Sequence, residues 1–192
     1  MSDWKDRLKR DLEPALMLPD PRPQISAYHN MPCAIFHYPP EQEFPVRSEV
    51  RLLATRLEQA GKRVTWVSLA ECLLEGLASS GLTPERIADA EKRAGVEKMA
   101  DTVHAVISKR IPLDDAVVGK VPNDADPLRE VVFVVRAGAL FPFYRTSSLL
   151  EQLAGKITVP TVLFYPGELE GATGLKFMGL MDAEHNYRPK IF

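Results

Sequence analysis

Two continuous apolar runs in the last third of the chain restrict its fold more than any other feature. Residues 131–135 read VVFVV and residues 161–165 read TVLFY, so β-branched and aromatic side chains follow one another without polar alternation. Strands that are buried on both faces have this composition, and they occur in parallel sheets with helices on each side. A third run, CAIFHY at 33–38, is bounded by prolines and predicts another buried strand. We therefore expect a parallel sheet in which 131–135 and 161–165 are neighbouring interior strands.

A helix and a further strand follow the CAIFHY segment. Residues 45–60 place valines and leucines on one helical face, with Pro45 in the first turn and Gly61 where the helix should stop. Residues 63–69, RVTWVSL, have the composition of a strand. A unit of strand, helix and strand is nearly always right-handed and implies parallel pairing.

The middle third, residues 68–110, is predicted to be helical throughout and to form an insertion on one side of the sheet. Residues 112–127 contain four aspartates and little periodicity, which predicts a loop. Residues 176–180 are expected to add an edge strand. The complete expectation is an α/β fold: an open, mostly parallel sheet of four to five strands flanked by helices, with a helical insertion in the middle third.

The N-terminus is predicted to be a short amphipathic helix at residues 2–12, with Ser2 as its N-cap. Its apolar stripe has a spacing of four, and four prolines then predict an extended connector. Those residues are Trp4, Leu8 and Leu12 in the stripe, and Pro14, Pro19, Pro21 and Pro23 in the connector. The helix packs either on its own core, which we favour, or against a partner. We divide the chain into residues 1–24, the N-terminal helix and proline-rich connector, and a single α/β domain at 25–192.

Charge and cysteine usage argue against several classes of protein. The 24 Lys and Arg against 26 Asp and Glu give a net charge of -2, so nothing favours general binding to nucleic acid or anionic membranes. The two cysteines, Cys33 and Cys72, form no zinc-binding pattern. The first residues lack the apolar segment of a signal peptide, and no apolar run is long enough to cross a membrane. We expect a cytoplasmic protein.

The candidate site lies where the predicted strands end. Ligands and partners of open parallel sheets gather at the carboxyl ends of the strands, because loops and helix N-termini converge there. The candidate interface or anion-binding residues are His37, Tyr38 and Glu41 after the first strand, Arg136, Phe141, Phe143, Tyr144 and Arg145 after the third, and Tyr165 and Glu168 at the fourth.

Arg136 and Arg145 flank the most apolar of these loops, and two interpretations are open. Their guanidinium groups can together hold a phosphate or a carboxylate, which would suit a nucleotide- or phosphate-binding regulatory domain. Alternatively, they pair with glutamates at 41, 168 or 170 and stiffen the loops of a protein interface. Arginine and aromatic side chains are typical interface anchors, so we favour the interface.

No segment has the pattern of a catalytic or cofactor site. The stretch GELEGATG at 167–174 lacks the GxxxxGK[ST] spacing of a phosphate loop and suits a mobile turn. Cys33 and His37 share one face of the first strand but are roughly 13 Å apart along it, too far for a direct hydrogen bond. Asp114 and Asp115 are expected in a solvated loop. We predict no catalytic residue, no metal and no cofactor.

Several long strings of the sequence are typical of one protein family. In the last third they are VVFVVRAGALFPFYRTSSLLEQL at 131–153, TVLFYPGELEG at 161–171, LKFMGL at 175–180 and NYRPKIF at 186–192. An earlier string, AIFHYPPEQEFPVRSEVRLLATRLEQAGKRVTWVSL, occupies 34–69. These strings resemble the BrxB family, small components of the BREX bacteriophage-exclusion systems, and the resemblance covers most of the chain from Met31 onward.

The resemblance implies membership in a bacterial defence complex that also contains an adenine-specific DNA methyltransferase, an ATPase and PglZ, an alkaline-phosphatase-like protein. It assigns no enzymatic activity to named residues of this chain. It implies a non-catalytic structural or adaptor subunit whose partners are other BREX subunits, PglZ foremost. The alternative remains a regulatory domain that binds a nucleotide or phosphate ligand on a degenerate nucleotide-hydrolase-like sheet.

Overall fold

The computed structural model describes residues 3–26, 31–171, 173–185 and 187–192. Its strands are β1 Cys33–Tyr38, β2 Arg63–Ser68, β3 Glu130–Val135, β4 Thr161–Glu170, β5 Gly174–Phe177 and β6 Lys190–Ile191. Five of them pair in parallel in the order β2-β3-β4-β1-β6, and β5 is antiparallel to β4. The predicted mostly parallel sheet is confirmed, and β6 is a strand that the sequence did not predict.

The helices are α1 Asp3–Arg7, α2 Glu13–Met17, α3 Arg22–Ile25, α4 Glu43–Gln59, α5 Leu69–Ser79, α6 Pro84–Ala94, α7 Val96–Ala105, α8 Leu113–Val118 and α9 Thr146–Leu153. A π-helical turn, Leu8–Leu12, joins α1 to α2, and another, Val106–Arg110, continues α7. The helical insertion of the middle third is therefore confirmed between β2 and β3. Within the described ranges, no helix is both long and apolar enough to span a membrane.

The two apolar runs are neighbouring interior strands, as predicted. β3 pairs with one side of β4, with Phe133 opposite Val162, and β1 pairs with the other side, with Phe36 opposite Phe164. The ring of Phe164 packs between the other two rings, at centroid distances of 5.1 Å from Phe133 and 5.9 Å from Phe36. Because the three strands are parallel and adjacent, their carboxyl ends lie together at one edge of the sheet.

Helices cover both faces because the chain reverses its direction across the sheet. From β1 it crosses to β2 at one edge, and β3 and β4 then return towards β1. Right-handed crossovers made in opposite directions place their helices on opposite faces. One buried cluster packs the first face against α1, α2 and α4, and a second cluster packs the second face against α5, α7, α8 and α9.

The N-terminal helical region is longer than predicted and docks on the first face. Pro14 does not end it, because this proline follows a π-helical turn and the apolar stripe continues beyond it. The side chains of the stripe are almost fully buried: Trp4, Leu8, Leu12 and Leu16. The predicted connector also contains the short helix α3. The predicted N-cap, Ser2, lies outside the described residues.

The predicted loop at 112–127 contains α8. Leu113 and Val117, spaced by four, are buried on the second face, and this short apolar pair was obscured by the aspartates around it. Asp114 is buried and accepts a hydrogen bond from Lys156, whose Nζ also lies 2.7 Å from Asp115 Oδ1. The expectation of a solvated carboxylate is therefore wrong for Asp114.

The fourth strand runs five residues past the predicted end. From Gly167 onward it pairs with β5, so most of the glycine-rich stretch is a hairpin rather than a mobile turn. A Cβ atom at Gly167 would collide with the carbonyl oxygen of Lys176 and with the ring of Tyr165, so close packing requires the glycine here. The predicted edge strand at 176–180 is shifted to 174–177, because Met178 adopts a left-handed backbone conformation that ends it.

Candidate functional site

The carboxyl ends of β1, β3 and β4 meet at a small surface pocket of about 280 Å³. We call it the carboxyl-end pocket. Its lining comes from the three strand exits, from the start of α4 and from the turn after β5: Pro40, Glu43, Arg47, Arg136, Gly138, Ala139, Pro166 and Met178. The adjacency of the three strands brings these segments together, as expected for an open parallel sheet.

Arg136 stands at the end of β3 with a left-handed backbone, at φ 61°. Its side chain is exposed, and it forms no ion pair with any residue that the structure describes. Met178, which also lines the pocket, has positive φ as well, at 56°. A left-handed conformation costs a residue with a Cβ roughly 1–2 kcal/mol. Among the described residues other than glycine, only these two have positive φ, and both line this pocket.

The start of α4 supplies a hydrogen-bonded wall of the pocket. Arg47 donates from Nε to Glu43 Oε1 at 2.7 Å, and Glu43 accepts the hydroxyl of Tyr38 through its other oxygen. Burial, and then the charge of Glu43, raises the pKa of Tyr38 well above its usual range. Tyr38 is thus a neutral donor that fixes Glu43, and Glu43 in turn holds Arg47 beside the pocket.

The predicted aromatic residues lie mostly in the core. Tyr38, Tyr144 and Tyr165 are 1%, 3% and 0% exposed, so none of them is available as a surface contact. Phe141 is half-buried against Phe177, with ring centroids 6.1 Å apart, and Phe143 is half-buried. The sequence marked Phe141, Phe143, Tyr144 and Tyr165 as candidate surface contacts because they are apolar and lie near the strand ends. In the structure these side chains pack against the second face of the sheet instead.

Arg145 lies in a different pocket from Arg136. It forms an ion pair at 2.7 Å with Glu184 and lines a pocket with Phe143 and His104. Since the two arginines line separate pockets, they do not form a shared anion clamp in this structure. The glutamates expected as their partners are placed otherwise: Glu170 pairs with Lys176 at 2.6 Å, and Glu41 and Glu168 are exposed.

His37 lines a third concavity, a groove of about 710 Å³ between the N-terminal helices and β6. Arg7 donates to the carbonyl oxygen of His37 at 3.0 Å. Burial, and then the charge of Arg7, lowers the pKa of His37 to about 4. Two nitrogen atoms here, Nδ1 of His37 and one terminal nitrogen of Arg7, are buried without a hydrogen-bond partner in the described structure. The structure therefore separates His37 from the carboxyl-end pocket.

A further groove, which the sequence did not predict, lies between α4 and β2 on the first face. We call it the edge groove. It has a volume of about 580 Å³, and Trp66, Arg51, Arg47 and Arg136 are among the residues that line it. The last two also line the carboxyl-end pocket, so the two concavities are adjacent. The alternation of Arg63 and Thr65 with apolar residues is the signal of a half-exposed edge strand that could have located it.

Both cysteines of the chain, Cys33 and Cys72, are free thiols buried in the core. Burial raises the pKa of the Cys33 thiol to about 12, so this cysteine stays protonated. Over the residues with described positions, no three His, Cys, Asp or Glu side chains are grouped so that they could hold a metal ion.

The part of the chain that contains most of these residues matches the model of one known protein family. The family model described as BREX protein BrxB matches residues 65–191, from β2 to β6, which includes Arg136, Pro166 and Met178. No curated protein and no solved structure matches the chain. Since the family model covers well over half of its length, the chain belongs to the BrxB family and is a component of the BREX anti-phage systems.

Proposed function

We propose that this chain is a non-catalytic adaptor subunit of a BREX complex and that it holds another subunit at the carboxyl-end pocket. The alkaline-phosphatase-like PglZ is our first candidate for that subunit. Arg136 carries the proposal, because it is an exposed arginine without an ion-pair partner in the described structure, on a backbone that is costly for a residue with a side chain.

The chemistry of the pocket supports a protein partner. Arginine and methionine are enriched at the centres of protein interfaces, and here Arg136 and Met178 face one pocket beside Pro166. A pocket of about 280 Å³ accommodates one or two side chains of a partner. Arg47 adds a second guanidinium group, which Glu43 holds in place. Together these groups suit a partner surface that inserts an apolar side chain next to a carboxylate.

Affinity capture tests the proposal. The tagged chain is expressed from its native operon, and gentle-salt capture should recover PglZ or another BREX subunit. Arg136→Glu should reduce that recovery at least tenfold, because a central interface arginine typically contributes 2 kcal/mol or more. The matched control is Arg93→Glu, which reverses an exposed charge on α6, a helix that packs on the second face and does not line the pocket. Recovery of no BREX subunit by the unaltered chain would overturn the proposal.

Arg136→Gly separates binding from folding. Glycine relieves the left-handed backbone, while its greater freedom in the unfolded chain offsets that gain, so stability should change by less than about 1 kcal/mol. Partner recovery should still fall, because the guanidinium group is lost. If Arg136→Gly unfolds the protein, the residue has a structural role instead.

The regulatory alternative is tested on the purified chain. Thermal shift against nucleotides, at 100 times the dissociation constant of a true ligand, would raise stability by about 2.7 kcal/mol. We expect no shift and no turnover of a nucleotide or phosphoester. Turnover that disappears in Arg136→Ala would show that the subunit is an enzyme.

A further inference from the structure

The strand β2 is at the edge of the sheet, and none of the described strands pairs with its outer side. In a parallel ladder, alternate residues direct their backbone N–H and C=O groups to opposite neighbours. Arg63 donates its N–H to Arg129 at 2.7 Å, on the β3 side. Thr65 and Val67 therefore also face β3, and the backbone groups of Val64 and Trp66 point to the open edge of the sheet. No hydrogen bond joins those groups to another described residue, so they can pair with an added strand.

Trp66 gives this edge an apolar side chain, whereas edge strands usually have features that prevent pairing with another chain. Its side chain is 42% exposed, and its ring meets Phe133 edge-on at a centroid distance of 5.4 Å. Proteins generally shield exposed edges with short strands, prolines or charged side chains. Here a strand of six residues has a tryptophan in its middle and a half-buried valine, Val64, two positions before it. Tryptophan is also among the residues that contribute most to binding at interfaces.

The charges along the edge groove differ between its two ends. The helix α4 runs antiparallel to the strands, so Arg47 and Arg51 lie towards their carboxyl ends and Glu58 lies at the other end. Arg51 and Arg136 have no ion pair within the described ranges, and the one carboxylate near them without an ion pair is Glu71. The carboxyl end of the groove therefore has an excess of positive charge, which complements an acidic side chain.

We propose that β2 accepts an extended strand from a partner subunit, in which an apolar side chain covers Trp66 and a carboxylate reaches Arg51 and Arg136. This rests on the proposed adaptor function, because it specifies how the partner is held. The backbone of β2 provides hydrogen bonds, and Trp66 and the two arginines provide selectivity. The edge groove and the carboxyl-end pocket, which share Arg47 and Arg136, then form one continuous interface.

Amide hydrogen exchange, resolved to single residues, tests the geometry. The free chain is compared with the complex captured through the tagged chain. The amides of Val64 and Trp66 should exchange at least tenfold more slowly in the complex. The amides of Thr65 and Val67, which already face β3, should change far less. Equal rates at Val64 and Trp66 in the free and captured states would overturn the proposal.

Two substitutions test the side chains independently. Trp66→Lys places a charge on the open edge, and Arg51→Glu reverses the charge of the groove. Each should lower partner recovery at least tenfold. The controls are Val96→Lys, at a valine of α7 that is 60% exposed and lines neither concavity, and Arg93→Glu. Melting curves confirm that each variant is folded, and Arg51→Glu remains informative if Trp66→Lys is unstable.

The outcomes distinguish the two proposals. If the unaltered chain captures no BREX subunit, both the adaptor function and the strand addition are wrong. If it captures one, but the β2 amides and both variants behave like the controls, the adaptor function stands and strand addition is wrong. Sedimentation of the free chain as a dimer that Trp66→Lys converts to a monomer would show that β2 pairs with a second copy, which contradicts a partner strand.

Discussion

His37 is the penultimate residue of β1, with a half-buried ring beside the guanidinium group of Arg7. Its pKa is about 4 in the folded protein against an ordinary value of 6.5. As the pH falls from 6.5 towards 4, the unfolded chain binds a proton that the folded chain does not. The free energy of unfolding should therefore decrease across this window, by at most about 1.4 kcal/mol per pH unit.

Urea unfolding between pH 4 and pH 7 measures this dependence. His37→Gln should flatten the slope within that window, whatever its effect on stability at pH 7. The matched control is His104→Gln, at an exposed histidine on α7, which should leave the His37 contribution in place. An unchanged slope in His37→Gln would contradict the assignment.

The sequence predicted that Arg136 lies at the carboxyl edge of the sheet, but not its backbone conformation or the residues around it. The position of Arg136 directly after a buried strand was enough to predict that it lies at the carboxyl edge. Its left-handed backbone depends on the turn that follows, and its separation from Arg145 depends on how the loop between them packs. The same packing buries Tyr144, which a local pattern cannot distinguish from an exposed interface tyrosine.

The segment after β5 is tied to the start of α9 through Glu184. This carboxylate accepts hydrogen bonds from Arg145 at 2.7 Å and from the Tyr187 hydroxyl at 2.9 Å. Burial opposes its ionisation, but the hydrogen bonds from Ser147, Arg145 and Tyr187 together outweigh burial and lower its pKa. Its stabilisation is therefore complete above pH 4.5, the ordinary glutamate pKa, and is lost as the pH falls through the lower folded value.

Glu184→Gln should lower the free energy of unfolding by about 1.5–3 kcal/mol at pH 7, because hydrogen bonds to a charged group are lost. The difference from the unaltered chain should shrink as the pH falls below 4.5 and through the lower pKa of Glu184 in the folded protein. Glu170→Gln is the matched control, since its ion pair with Lys176 is equally short but exposed, and such pairs contribute about 0–1 kcal/mol. Denaturant titration at pH 7 and at low pH measures the loss of stability in each variant. Equal losses in Glu184→Gln and Glu170→Gln would contradict a special role for Glu184.

Among the elements, composition predicted the interior strands. It did not predict where the N-terminal helices and β4 end, because contacts between distant segments determine those ends. β1, β3 and the first half of β4 are continuous apolar runs rich in β-branched and aromatic residues, which is typical of strands buried on both faces. The region of α1 and α2 continues past Pro14 only because the sheet is there to bury Leu16. The extension of β4 depends on the hairpin with β5, which Gly167 permits by its lack of a side chain. None of these long-range partners is visible in a local window.

The order of the strands is a property of the whole molecule. Placing β1 between β4 and β6 requires the chain to cross the sheet after β1 and to return through β2, β3 and β4. Local patterns predicted parallel pairing but not this order, because pairing depends on contacts between distant segments. The order decides which loops meet, and hence that Arg136, Pro166 and Pro40 share one pocket whereas His37 faces another groove.

One sheet separates the two buried clusters, so we propose that they unfold together. Leu8 on the first face and Leu149 on the second are both 0% exposed. Leu8→Ala and Leu149→Ala should each reduce the free energy of unfolding by about 2–5 kcal/mol, as expected for buried leucines. Each should shift one common transition, since the strands between them contribute side chains to both clusters.

Far-UV circular dichroism and tryptophan fluorescence, followed in the same urea titration, test this coupling. The two signals should coincide in the unaltered chain and in both variants. Leu18→Ala, at a leucine that is 38% exposed, is the control and should change stability by well under 2 kcal/mol. If Leu8→Ala instead creates a separate early transition in fluorescence, to which Trp4 contributes from the first face, residues 1–24 unfold on their own. The α/β domain at 25–192 would then be the independent folding unit, and the adaptor surfaces on β2 and β3 would remain intact without the N-terminal helices.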